Sequence, residues 1–151
     1  MTLANQLFLA SLIVATTVFF HLLGLAAFLA LLRRHRRARS PMIDMLTSIA
    51  VVMTVAFGLF GLHTAEIWEW AAAYRYLSIF GDWERALYFS TTTYVTIGYG
   101  DVILPRGSRV LGAIEGANGI ILLGWSTAFF FSIVDRMKLL ERRFEDERTH
   151  A

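Results

Sequence analysis

The amino-acid sequence predicts an all-α membrane protein in which three helices cross the bilayer and a fourth, shorter helix enters it and returns. Of 151 residues, 56% are hydrophobic, and the mean hydropathy is +0.55. Residues 7–32 and 45–62 contain no charged side chain, and residues 110–134 contain only Glu115. A helix of about 20 apolar residues crosses the hydrocarbon layer of a bilayer, so little chain remains for a soluble domain.

The first apolar run, residues 7–32, is predicted to be a retained helix. Residues 1–6 lack Lys and Arg, and the run is longer than the apolar region of a secretory signal. Basic residues follow it instead, and the positive-inside rule places them in the cytoplasm and the N-terminus outside. These residues are Arg33, Arg34, Arg36, Arg37 and Arg39. We therefore treat residues 1–39 as an N-terminal helix with a basic loop.

The second basic cluster begins at Arg136 and should also be cytoplasmic. An even number of crossings must then separate the two clusters, and residues 45–62 and 110–134 supply two. Residues 82–101, although rich in apolar side chains, must therefore enter the membrane and return on the same side. Irregular backbone at membrane depth is tolerated where it is buried in protein or lines a water-filled path, which indicates transport.

The second membrane helix is predicted over about residues 42–76. Ser40 suits its N-cap and Pro41 its first helical position. Its far end carries four aromatic residues, Trp68, Trp70, Tyr74 and Tyr76. They favour either an aromatic belt at the outer interface or packing against neighbouring helices.

A short helix over about residues 82–94 is predicted from the acidic residues Asp82 and Glu84 in its first turn. The glycines that follow alternate with β-branched and aromatic residues, which favours an irregular extended segment. Gly98 and Gly100 can adopt dihedrals that a Cβ forbids, so successive carbonyl oxygens can face one axis. Only several copies of the chain, related by rotation, could surround a cation there.

Residues 96–101 read Thr-Ile-Gly-Tyr-Gly-Asp, and this string resembles the pore signature of potassium channels. The resemblance covers about residues 42–136 and implies a homotetramer in which each chain supplies a pore helix, a selectivity filter (residues 96–100) and an inner helix (about residues 108–135). The implied potassium ligands are the Thr96 hydroxyl and the carbonyl oxygens of Thr96, Ile97, Gly98 and Tyr99, within a filter that ends at Gly100.

The resemblance also implies that Asp101 and the Tyr99 ring support the filter from behind. Thr92 stands where certain relatives have a glutamate that pairs with the aspartate. Whether Thr92 takes part in this support, and whether the filter can inactivate, is left open by the sequence.

Glycine is frequent in the predicted inner helix. Gly112 and Gly116 have the spacing of a close helix contact. Gly119 lies where related channels hinge this helix, so bending and packing are equally supported there, and Gly124 is the second hinge candidate.

Similar channels line their cavity with a stripe that corresponds here to Leu123, Thr127 and Phe131. Phe131 could form an apolar constriction that gates by dewetting. The alternative is that these residues pack against the outer helix.

Several polar residues lie within the apolar spans. For Glu115, a hydrogen-bonded brace behind the pore helix is favoured over a role in ion passage, and the partner of Asn118 cannot be identified. His63 and Glu66 share a helical face, where hydrogen bonding is favoured over a metal or proton sensor. His21 is expected to be buried with its hydrogen bonds satisfied.

The sequence as a whole predicts a passive potassium channel of a prokaryotic plasma (inner) membrane, with the C-terminus cytoplasmic. Its expected partners are three identical subunits, the lipid bilayer and potassium ions, with no nucleic acid and no cofactor. No nucleophile and base occur together, so an enzyme is not expected. Residues 137–151 form a short cytoplasmic tail in which Met137, Leu140 and Phe144 share one helical face. Extension of the inner helix and a solvated amphipathic end are equally supported. The alternatives are a non-conducting regulatory or scaffold subunit and a potassium transporter, but a transporter would carry four degenerate pore repeats.

Overall fold

The computed structural model describes residues 1–34 and 41–149, with side chains described in residues 1–31, 42–43 and 46–135. Within these residues there are four α-helices, which we number α1 to α4, one short 3-10 helix and no strand. They are α1 (Leu3–Arg34), α2 (Pro41–Tyr76), α3 (Trp83–Tyr94), the 3-10 helix Arg106–Ser108, and α4 (Arg109–Thr149). The predicted all-α fold class is confirmed.

Three segments are long and apolar enough to cross a membrane, namely Leu3–Leu31, Leu46–Tyr76 and Arg106–Asp135. The chain is therefore a multi-pass membrane protein. Helix α3 has 12 residues, which at 1.5 Å per residue is about 18 Å and too short to cross. This length agrees with the predicted re-entrant segment.

The helix boundaries agree with the sequence prediction to within one residue for α2 and α3. Helix α4 continues past the boundary predicted near residue 135 and runs without interruption to Thr149, as the predicted extension of the inner helix into the tail requires. Residues 136–149 contain neither Gly nor Pro that would stop it. The basic loop from residue 35, the cap Ser40 and the side chains of the predicted tail face lie outside the described residues.

The four aromatic residues near the C-terminal end of α2 all contact neighbouring rings but differ in burial. Trp70 and Tyr74 are fully buried, and the Tyr74 ring meets the Phe89 ring of α3 edge-on at 5.3 Å. Trp68 and Tyr76 are 45% and 79% exposed, and both rings contact the Trp83 ring of α3, at 5.8 and 6.0 Å; an interfacial belt stays a prediction. The buried pair anchors α3 against α2.

Helix α1 packs directly against α2 and α4. Its buried side chains are Gln6, Ala10, Thr17 and His21. A Cβ on Gly58 of α2 would lie only 2.5 Å from the Phe28 ring of α1, so glycine is needed for this close approach. The Gln6 side chain accepts a hydrogen bond from the Val110 amide at 3.2 Å, which satisfies a donor that the first turn of α4 leaves free.

Candidate functional site

Helix α3 presents the candidate filter, residues 96–100, at its C-terminal end. The Asp82 carboxylate caps its first turn by accepting a hydrogen bond from the Arg85 amide at 2.7 Å. At the other end, the carbonyls of Thr93 and Thr92 accept from the amides of Thr96 and Gly98, each at 3.0 Å. These two bonds tie the irregular backbone to the end of the helix.

The backbone of the candidate filter alternates in handedness. Positive φ angles occur at Thr96 (61°), Gly98 (55°) and Gly100 (81°), and not at the two intervening residues. A backbone in which the sign of φ alternates can turn successive peptide groups the same way, with amides toward one side and carbonyl oxygens toward the other. The predicted need for glycine at 98 and 100 is confirmed, whereas the positive φ of Thr96 was not predicted.

Conformation rather than space requires the two glycines. A Cβ built on Gly98 or Gly100 meets no atom within 4 Å in the single chain. A left-handed residue with a Cβ costs about 1–2 kcal/mol, which glycine avoids. All residues from 96 to 101 are exposed in the single chain, including Tyr99 at 71%.

Asp101, the predicted support residue, contacts α3. The Tyr88 hydroxyl donates to its carboxylate at 2.8 Å, and this hydrogen bond raises the pKa of Tyr88 above its ordinary value. The Thr92 hydroxyl instead lies 3.0 Å from the carbonyl of Tyr88, on its own helix. The side chain of Thr92 therefore does not contact Asp101, and its link to the candidate filter is the backbone bond to Gly98. Tyr88 was not identified from the sequence.

Glu115 lies behind α3, as the brace hypothesis predicted. It is fully buried and accepts from the Ser90 hydroxyl of α3 at 2.5 Å and from the Tyr74 hydroxyl of α2 at 2.6 Å. One carboxylate thus joins three helices at a point away from the candidate filter. Among the described residues, Asn118 Nδ2 is buried with no hydrogen-bond partner.

The glycines of α4 differ in their surroundings. A Cβ on Gly112 would lie 2.9 Å from Leu104 and 3.1 Å from Phe89, which confirms its packing role. A Cβ on Gly119 would overlap the Tyr94 carbonyl oxygen at the end of α3, while one on Gly124 meets nothing within 4 Å. Helix α4 passes through both positions unbroken. The geometry therefore accounts for Gly119 by packing, and hinging at Gly119 or Gly124 stays a prediction.

The predicted cavity stripe is partly exposed. Thr127 and Phe131 are exposed, Phe131 at 60%, whereas Leu123 packs against the main core. Phe129 and Phe130 pack against a second cluster that includes Val55 of α2. Of the three consecutive phenylalanines, Phe131 is the most exposed in the single chain, although its ring meets the Phe130 ring edge-on at 6.3 Å.

The sequence placed His63 and Glu66 on one helical face, and the structure adds a third and a fourth residue to them. His63 Nδ1 lies 3.0 Å from Glu66 Oε2 and 3.0 Å from the Tyr94 hydroxyl. His21 Nδ1 of α1 lies 2.8 Å from Glu66 Oε1, which confirms that His21 is buried and hydrogen-bonded. No local pattern could have joined residues 45 positions apart in sequence.

Comparison with known proteins gives one match. A family model described as ion channel matches residues 49–136, a range that begins in α2, contains α3 and the candidate filter, and ends in α4. No curated protein and no solved structure matches the chain.

Proposed function

The chain belongs to this ion channel family, and from that premise we propose that it forms a potassium-selective pore as a homotetramer. The observation that carries the proposal is the alternation of positive φ at Thr96, Gly98 and Gly100, directly after a partly buried helix too short to cross the membrane. Such a backbone offers a row of carbonyl oxygens on one side.

Four such rows around an axis would supply the ligands. In the proposed pore the carbonyls of residues 96–99 and the Thr96 hydroxyl replace the water shell of a potassium ion, and closely spaced sites let one ion repel the next. Gly100 ends the row. One chain cannot surround an ion, and the exposure of every residue from 96 to 101 leaves this surface free for three further copies.

The bonds around the candidate filter support this role. The amide of Gly98 is held by the Thr92 carbonyl, and Asp101 is held by Tyr88. Both keep the carbonyl side free, since they use amides and a side chain. The Tyr99 ring, exposed in one chain, would provide the implied support by packing in the assembled pore.

The inner end of the pore is proposed to lie along α4. Leu123, Thr127 and Phe131 would line the cavity, with Phe131 as an apolar constriction. The basic clusters support an orientation with the N-terminus outside and the C-terminus in the cytoplasm, in a plasma membrane. Ions would move passively, in the direction of their electrochemical gradient.

The test is cation flux into liposomes that contain the purified assembly. We expect potassium flux well above sodium flux, with block by barium. Gly98→Ala should remove this flux, because a left-handed alanine costs about 1–2 kcal/mol in each of four chains. Gly61→Ala is the matched control, since a Cβ there also meets nothing within 4 Å but its φ is not positive.

Two outcomes would count against the proposal. Equal potassium and sodium flux would contradict the proposed potassium selectivity. Selective flux that survives Gly98→Ala would contradict the proposed role of the candidate filter. An intact assembly with no flux at any voltage, pH or calcium concentration would favour the non-conducting regulatory or scaffold subunit.

A further inference from the structure

A cluster of five polar side chains, one or more from each α-helix, lies beside the C-terminal end of α3. We call it the histidine cluster, and its members are His21, His63, Glu66, Tyr94 and Ser126. The side chain of His63 is 13% exposed, and the other four members are buried. Burial of so many polar groups within membrane-spanning segments is costly and by default indicates function.

The Nδ1 atoms of both imidazoles face the Glu66 carboxylate, at 2.8 Å from His21 and 3.0 Å from His63. Tyr94 also donates to this carboxylate. The other ring nitrogens face one hydroxyl, with Ser126 Oγ 2.9 Å from Nε2 of His63 and 3.5 Å from Nε2 of His21.

With both imidazoles neutral, the cluster has too few protons to satisfy all of its hydrogen-bond acceptors. If each imidazole is neutral and donates from Nδ1 to Glu66, both Nε2 atoms are acceptors, and the single proton of Ser126 can satisfy only one of them. The cluster then also holds a buried negative charge, and within the described residues no Lys or Arg forms an ion pair with Glu66. In this neutral state the cluster holds no positive charge beside Glu66, and either a protonated imidazole or a bound cation would provide it.

We propose that the histidine cluster binds a divalent transition metal ion, with Zn²⁺ as the ion tested, through His21, His63 and Glu66. The candidate ligand atoms of these three residues all lie within 4.8 Å of one another. Zinc bonds of 2.0–2.2 Å in a tetrahedron separate the donors by about 3.3–3.5 Å. The present N···O distances, 2.8 Å from His21 to Oε1 of Glu66 and 3.0 Å from His63 to Oε2, are slightly shorter than this separation, and each imidazole faces its own carboxylate oxygen. The Tyr94 hydroxyl, 3.0 Å from His63 Nδ1, stands at the fourth position.

Metal binding also resolves the shortage at Ser126. When the ion takes the Nδ1 lone pair, each imidazole carries its proton on Nε2 instead, so no proton is lost from either ring. Both Nε2–H groups can then donate to the Ser126 oxygen, which has two lone pairs. A ligating histidine that donates its second N–H to an outer acceptor is the usual arrangement around protein-bound metals.

The donor set favours zinc over the common hard cations. Two imidazole nitrogens with one carboxylate suit Zn²⁺ and similar first-row ions, whereas Ca²⁺ and Mg²⁺ prefer oxygen ligands alone. The ion would tie α1, through His21, to α2 and to the end of α3, two residues before Thr96. This gives the N-terminal helix a role that does not depend on the ion that the pore conducts.

The test is calorimetric titration of ZnCl₂ into the assembled full-length protein, purified without a polyhistidine tag and stripped with a chelator. We expect one zinc ion per chain. His21→Gln and Glu66→Gln should each weaken binding by more than about 100-fold, and Ser126→Ala by about 10–100-fold as an outer-shell partner. His150→Gln, the same change at a histidine outside the described residues, should leave the affinity unchanged.

X-ray absorption at the zinc edge of the wild-type protein gives a second readout that needs no variant. It should show nitrogen and oxygen ligands at about 2.0–2.1 Å with imidazole scattering. Three results would each contradict the proposed zinc site: no stoichiometric binding, equal affinity in wild type and both ligand variants, or a spectrum of hydrated zinc. None of these measurements depends on ion flux, so they can fail or succeed independently of the proposed channel function.

Discussion

Replacement of Gly119 by alanine tests whether this glycine serves packing or bending. The Cβ would overlap the carbonyl oxygen of Tyr94 and lie 2.9 Å from its carbonyl carbon. These atoms belong to the backbone at the end of α3, which cannot move aside like the tip of a flexible side chain. Helix α4 must therefore shift away from α3, and the candidate filter two residues further on loses part of its support.

The expected magnitude follows from two opposing effects. Alanine is favoured over glycine in a helix interior by about 0.5–1 kcal/mol. Overpacking of a tight site costs about 1–3 kcal/mol, and a backbone neighbour places this site at the upper end. The net loss of unfolding free energy is about 2 kcal/mol per chain, which corresponds to roughly a 30-fold change in the equilibrium between folded and unfolded chain.

The measurement is thermal unfolding of the assembled protein in detergent, compared with Gly124→Ala. A Cβ on Gly124 meets no atom within 4 Å, so that variant should be more stable than wild type by about 0.5–1 kcal/mol. A Gly119→Ala protein as stable as Gly124→Ala would contradict the packing explanation. If only its ion flux then fell, bending at Gly119 would be the better explanation.

Two further variants address the brace and the constriction. Glu115→Gln replaces one of the two acceptor oxygens by an amide N–H, so one of the two hydroxyl hydrogen bonds to the carboxylate is lost, which costs about 1 kcal/mol. The assembled fraction on size exclusion should therefore fall while single-channel conductance is kept; a large conductance loss in intact assemblies would instead favour a role in ion passage. Phe131→Ala should raise open probability in single-channel recording, since an exposed ring is removed, whereas Phe130→Ala should lower stability because that ring packs. An unchanged open probability in Phe131→Ala would contradict the hypothesis that Phe131 forms the constriction.

The helices could be predicted from the sequence because their signals are local. A run of apolar residues long enough to cross the membrane defines a span, and acidic residues in a first turn define the start of α3. The sequence left the end of α4 open, because a change from apolar to charged residues marks the edge of the membrane, not the end of a helix. Nothing in residues 136–149 stops the helix.

The candidate site was predicted in part. The positive φ at Gly98 and Gly100 could be predicted from the sequence, because two glycines among bulky residues indicate backbone conformations that a Cβ disfavours. The hydrogen bond from the Tyr88 hydroxyl to the Asp101 carboxylate was not predicted from the sequence. This pairing depends on how the irregular segment folds back beside α3, and thirteen residues of separation give no periodic signal.

The sequence alone thus determined which segments are long and apolar enough to cross a membrane, and it predicted a re-entrant segment and the positive φ of Gly98 and Gly100. Only the tertiary structure decided which polar groups meet: Glu115 with Ser90 and Tyr74, and His21 with Glu66. The physical reason is that a helix in lipid is apolar around most of its circumference, so its pattern does not reveal which face packs. The rotation and register of each helix are set by contacts between residues far apart in the chain, such as Gly58 against Phe28.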